Sequence, residues 1–189
     1  MARQLVLGSV LGAIVLFFWS ALAWMVIPWP GEPLRSFTDE DVVEQAIVAN
    51  TPQSGNYILP NPHRQGLTSE QQQKSAEKMF RGPMMFASIR LEPMGSMPKL
   101  MVLQFLSQFV VALMATFLLL QTSALSYGTR VVFITVIGVL IFVGGKLDEW
   151  IWWSFSNAYM LMQIGALVIG WFLTALVVAA FVRGKAAAV

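Results

Sequence analysis

The sequence predicts a helical membrane protein: four transmembrane helices with a small extracytoplasmic α+β insertion between the first and second. Three observations carry this. Hydrophobic residues make up 57% of the 189 residues and charged residues only 12%, about half the roughly 25% charge of a soluble domain. The apolar residues gather into four long runs. One long polar stretch separates the first run from the second.

The first run, Leu5 to Ile27, is uncharged over 23 residues. As a helix it reaches roughly 34 Å, enough to cross a hydrocarbon core about 30 Å thick. Ala21-Leu22-Ala23 fits a signal-peptide cleavage pattern after a minimal basic start at Arg3. Apolar character continues through Trp24, Met25, Val26 and Ile27, so the run reads as an uncleaved anchor occupying 1–28.

Residues 29–98 form the insertion. Thr38-Asp39-Glu40-Asp41 reads as a capping box opening a helix to about Ala49, with Val43, Ala46 and Ile47 on one face. Tyr57 to Leu59 predicts a short strand ending at Pro60, and Asn61-Pro62 a turn. A polar helix follows from Ser69 to Arg81, stopped by Gly82-Pro83. Met84 to Leu91 predicts a second strand, pairing with the first.

Segment 99–183 holds the remaining spans: Leu100 to Leu120, Val131 to Val143 with extension to Lys146, and Ala158 to Val182. The Trp-rich stretch 146–156 is expected to lie along the membrane interface, and 184–189 to form a cytoplasmic tail. Arg3, Arg130, Arg183 and Lys185 fall on one side without an acidic residue, whereas Lys146 faces Asp148 and Glu149. The bias of basic residues toward the cytoplasm then places both termini inside and residues 29–98 outside. Trp24, Trp29, Trp150, Trp152 and Trp153 lie near the expected outer ends and read as an interfacial belt.

Composition narrows the chemistry. Cysteine is absent and His63 is the only histidine, which excludes disulfides, thiolate sites, cysteine nucleophiles and bis-histidine centres within one chain. A net charge of +2 gives no reason to expect a nucleic-acid partner. No charge lies deep in a span, which argues against an ion or proton pathway. No hydrolase, kinase or zinc signature occurs, and Asp148 and Glu149, being consecutive, diverge too far on a helix to act as an acid/base pair. His63, in the turn Asn61-Pro62-His63-Arg64, reads as a surface residue. No enzyme activity and no cofactor are expected.

Three sets of residues remain as candidates. Gln104, Ser107 and Gln108 share a face of the second span, and Gln163 lies at a similar depth on the fourth. Together they would hold a lipid headgroup, a quinone or a polar solute, or serve as interhelical hydrogen bonders. Gly8 and Gly12 on the first span, and Gly165 and Gly170 on the fourth, are small-residue sites for close helix packing. Met94, Met97 and Met101, with His63 as a fourth ligand, would suit Cu(I); flexible methionines filling an irregular seam are the plainer reading.

Ser54-Gly55-Asn56-Tyr57 with Pro60, Gly82-Pro83-Met84, Ser126-Tyr127-Gly128-Thr129-Arg130-Val131 and Gly170-Trp171-Phe172-Leu173 resemble a family of uncharacterised bacterial inner-membrane proteins, from about Ser54 to Val182. The resemblance implies a bacterial inner-membrane location and no assigned activity. The expected partners are membrane lipid and other membrane-protein subunits. The leading functional expectation is a non-catalytic accessory subunit docking against a larger complex through the Gly8/Gly12 face or the inserted domain.

Overall fold

The computed structural model describes residues 1–122 and 124–183, so the tail with Lys185 lies outside the described residues. The chain is 68% helix with a single two-stranded sheet. The described residues contain four helical segments long and apolar enough to span a membrane, which suggests a multi-pass membrane protein. The described residues divide into two compact units, Met1–Leu34 with Ser96 onward, and Arg35–Gly95.

The first unit holds the spans. Helix α1 runs Ala2–Met25, α4 runs Met97–Leu120 and α5 runs Tyr127–Trp153. The fourth span is Asn157–Phe181, built of α6 (Asn157–Ile164), one π-helical turn (Gly165–Ile169) and α7 (Gly170–Phe181). Helix α1 packs between α4 and α7, and α7 packs on α5. Small buried residues make those approaches close: Ala13 on α1, Ala112 and Ala115 on α4, and Ala175 and Ala179 on α7. Without a water-driven hydrophobic effect between helices in lipid, such residues let backbones meet and gain dispersion contact. Leu119, Ile134 and Trp171 fill the core around them.

Two sequence expectations change here. Gly8 and Gly12 are close-packing sites as expected, but within this chain, so their face of α1 is not the docking face of the leading functional expectation. A Cβ on Gly8 would lie 2.6 Å from Thr116 Cγ2 and 2.7 Å from Val182 Cγ2, so α4 and α7 already occupy it. The third span is also longer than the apolar run Val131 to Val143. Ser126 caps it by accepting the Thr129 N–H at 3.2 Å, and no breaker interrupts it before Ser154, whose φ of 57° places it in the left-handed region. The Trp-rich stretch from Lys146 is therefore the last part of α5, followed by the corner into α6.

In the second unit, α2 (Glu40–Asn50) precedes strand β1 (Gly55–Leu59), helix α3 (Ser69–Arg81) and strand β2 (Met85–Ile89). The strands pair antiparallel, Gly55 opposite Ile89 through Leu59 opposite Met85, as the sequence predicts, with β1 starting two residues before the expected Tyr57 and β2 shorter than the expected Met84 to Leu91. The cap of α2 is Asp39, whose carboxylate accepts the Val42 N–H at 3.0 Å; Thr38 is not the cap. The reciprocal capping box belongs to α3, between Thr68 and Gln71. Gly82, at φ 71°, closes α3 in the backbone region that glycine adopts most freely. Thr51 is the only fully buried residue among those described in this unit, as expected of about 60 residues with few apolar side chains.

Candidate functional site

Two hydrogen-bonded polar groups stand out in the first unit. One is the corner between α5 and α6. Lys146 and Glu149 stand one turn apart near the end of α5 and form an ion pair at 2.6 Å, both partly buried. The indole of Trp150 donates to Asn157 Oδ1 at 2.8 Å, tying the two helices. Ser156 caps α6 by accepting the Tyr159 N–H at 3.1 Å. One turn on, the amide of buried Gln163 donates to the Tyr159 hydroxyl at 3.0 Å.

The hydrogen-bond balance at this corner is incomplete. Glu149 Oε2 is shielded from solvent and has no hydrogen-bond partner among the described residues. The Tyr159 hydroxyl accepts from Gln163 and keeps its own proton to donate. Among the described residues the corner thus combines an internally neutral ion pair with one unpaired acceptor and one spare donor. Among the described residues no three His, Cys, Asp or Glu side chains gather to hold a metal.

The second place is Arg130. Its sequence position suggests an anchor in a loop, yet it is only 8% exposed. Nε and Nη2 donate to the Ala179 carbonyl at 3.1 and 2.9 Å, and Nη1 donates to the Leu125 carbonyl at 2.5 Å. Ala179 lies in the last turn of α7, where unpaired carbonyls leave partial negative charge, so the cation is satisfied without a carboxylate. Tyr127 adds a second clamp, its hydroxyl donating to the Leu176 carbonyl at 3.0 Å. The α4–α5 connection and the end of α7 thus sit at one end of the bundle. Gly8, against Thr116 and Val182, brings the start of α1 to the same end.

The amides of the second span do not meet Gln163. Gln104 and Ser107 are exposed and Gln108 is half-buried on α4, and none of the three makes a side-chain hydrogen bond to a described residue. Gln163 is satisfied within its own helix. Met97 and Met101 are exposed in the first turns of α4, and Met94 is exposed just before it. His63 is exposed in a turn where its backbone N–H bonds Asn61 Oδ1 at 2.9 Å.

The glycines of the fourth span have specific occupants. A Cβ on Gly165 would overlap the ring of Trp29, and one on Gly170 would lie 2.6 Å from Trp19 Cδ1. Trp29 is therefore a packing residue as well, its indole donating to the Ala23 carbonyl at 2.6 Å. Trp19 donates to the Ala166 carbonyl at 3.0 Å, within the π turn, where altered pairing exposes backbone groups. A third socket joins Gly138 of α5 to buried Trp171. The sequence carried a signal for these: Trp19 and Trp171 lie within apolar runs away from the expected belt, where an indole N–H and a large ring both need accommodation. Of that belt, Trp24, Trp150 and Trp152 are exposed, while Trp29 and Trp153 are half-buried.

No family model, curated protein or solved structure matches the chain. The family resemblance in the short motifs has those residues alone behind it.

Proposed function

We propose that this protein is a non-catalytic membrane subunit that docks laterally against another membrane protein through the outward face of α4. The carrying observation is the trio Gln104, Ser107 and Gln108, which has no hydrogen-bond partner among the described residues. Gln108 lies eleven residues beyond the start of this 24-residue helix, about 16 Å along its axis, too deep for its short side chain to reach water. Hydrocarbon offers an amide no partner, and membrane helices satisfy such groups across helix–helix interfaces. Only 22% of the most apolar stretch of α4 is buried within the chain, which leaves a broad face for a neighbour.

The proposed setting is a bacterial inner membrane, with both termini cytoplasmic and residues 29–98 extracytoplasmic. Arg3 and Arg183 support this orientation, being basic residues at the shared end without an acidic neighbour. The test is native electrophoresis with mass spectrometry after mild detergent extraction. Co-migration with a larger assembly at fixed stoichiometry is expected, with release in a Gln104→Leu/Gln108→Leu variant that keeps its own thermal stability. Migration alone, or release only when the fold itself weakens, would sink the proposal.

A second reading has its own observation. The free Glu149 oxygen beside Tyr159 and Gln163 favours a site holding a lipid headgroup, quinone or polar solute at the α5–α6 corner. On that reading Glu149→Gln should lose a species that co-purifies with the native protein.

A further inference from the structure

The second unit contains a cleft of about 640 Å³ between β1 and α3, and its lining breaks a packing rule. A helix beside a sheet ordinarily turns its apolar stripe toward it. Helix α3 instead lines the cleft with Gln71, Lys74, Ser75 and Lys78, the i, i+3, i+4, i+7 stripe of one face. Its Phe80 is left 93% exposed elsewhere. Arg64, from the turn after β1, lines the same cleft. No acidic residue is among the lining residues, although α3 itself carries Glu70 and Glu77.

The three cations are poorly compensated. Lys74 pairs with Glu70, but both side chains are largely exposed, so the pair neutralises little. Arg64 and Lys78 have no ion-pair partner among the described residues. Lys74 and Lys78, four residues apart, repel each other on the helix surface. On β1, Ile58 and Leu59 supply apolar surface, and Leu67, just before α3, adds to it.

We propose that this cleft binds a phosphate-bearing anion, with Arg64, Lys74 and Lys78 taking the phosphate and the β1 wall taking an attached apolar group. A tetrahedral oxyanion suits the site because a guanidinium fork and two ammonium groups can each address a different oxygen. Gln71 and Ser75 supply further neutral donors. Binding removes the Lys74–Lys78 repulsion, and it weakens as salt screens the cations. The anion comes either from a phospholipid headgroup or from a soluble phosphate ester; the chemistry that reads it is the same.

The test uses the full chain in a neutral detergent and follows phosphorus NMR line broadening on titration. The probes are glycerol phosphate, short-chain phosphatidylglycerol and, as a zwitterionic control, short-chain phosphatidylcholine. Saturable binding of at least one anionic probe is expected, weakened about tenfold or more in Arg64→Gln/Lys78→Gln, as for loss of one or two charge-assisted hydrogen bonds. Arg81→Gln is the charge control: it is on the same helix, outside the cleft, and pairs with Glu77 at 4.0 Å. Unchanged circular dichroism shows that each variant is folded. Binding of both anionic probes identifies the phosphate group as the feature read, and binding of the lipid alone identifies a headgroup site. Absence of saturable binding, equal binding of the zwitterionic control, or equal loss in Arg81→Gln overturns the proposal.

Discussion

Adding one methyl group to Gly8 tests the centre of the helix packing. A Cβ there would sit 2.6 Å from Thr116 Cγ2, 2.9 Å from Thr116 Oγ1 and 2.7 Å from Val182 Cγ2. Ordinary contact begins at 3.4 Å, so the overlaps with the two methyls are 0.8 and 0.7 Å (3.4 − 2.6 and 3.4 − 2.7). Thr116 is on α4 and Val182 caps α7, so α1 cannot retreat from one without pressing on the other. Both neighbours are β-branched and fully buried, and rotation finds no space. Overpacking of this kind costs about 1–3 kcal/mol, which lowers Tm by roughly 2–12 °C for a protein of this size.

The same substitution elsewhere sets the scale. At Gly12 the nearest neighbour is Ala112 Cβ at 3.0 Å, an overlap of 0.4 Å (3.4 − 3.0), which the gain of up to about 1 kcal/mol in helix propensity offsets. At Gly144 nothing lies within 4 Å, so only the propensity gain remains. Thermal unfolding in one detergent should therefore rank Gly144→Ala above Gly12→Ala, and both above Gly8→Ala. A Gly8→Ala protein as stable as Gly144→Ala would refute the placement of α1 between α4 and α7.

Replacing Arg130 by Met keeps the aliphatic stem but strips the Leu125 and Ala179 carbonyls of their donors, at a cost of about 1–3 kcal/mol; Arg130→Lys recovers only part, lacking the fork. Protease resistance and Tm should fall in the order native, Lys, Met, and an unchanged Met variant would show that the clamp contributes nothing. In the second unit, the Ser54 hydroxyl donates to the exposed Glu92 carboxylate and accepts the Leu91 N–H at 2.8 Å. That bond, helped by Glu92's own backbone and by Arg90, holds Glu92 below the ordinary carboxylate range. A depressed pKa favours the fold above the unfolded value, and the contribution is lost as pH falls through the lowered one. Ser54→Ala should raise the Glu92 titration midpoint seen by carboxyl NMR; an unmoved midpoint would show that the hydroxyl is not its cause.

Local chemistry was legible wherever it acts within a few residues. Ser69 to Arg81 forms the helix read from its sequence because its cap and its glycine stop lie at its own ends. The strands pair as expected because turn residues bound both. Thr38 and Asp39 both suit the cap of α2, and only the entering backbone selects Asp39. The third span was read short for a related reason. Charge marks where apolar character ends, but a helix continues through Lys146 and Glu149 when they pair with each other.

The sequence by itself determined that the chain enters a membrane several times and carries a polar insertion, because transfer of long apolar runs out of water is a property of composition and length. Tertiary structure alone decided which faces meet. It set Gly8 against two helices, seated three tryptophans on three glycines, and buried a cation against a carbonyl in another helix's last turn. It also left the amides of α4 without a hydrogen-bond partner among the described residues and turned a cationic stripe toward a cleft. A side chain's environment is fixed by residues distant in sequence, and no local pattern encodes which of several equally apolar helices will lie beside it.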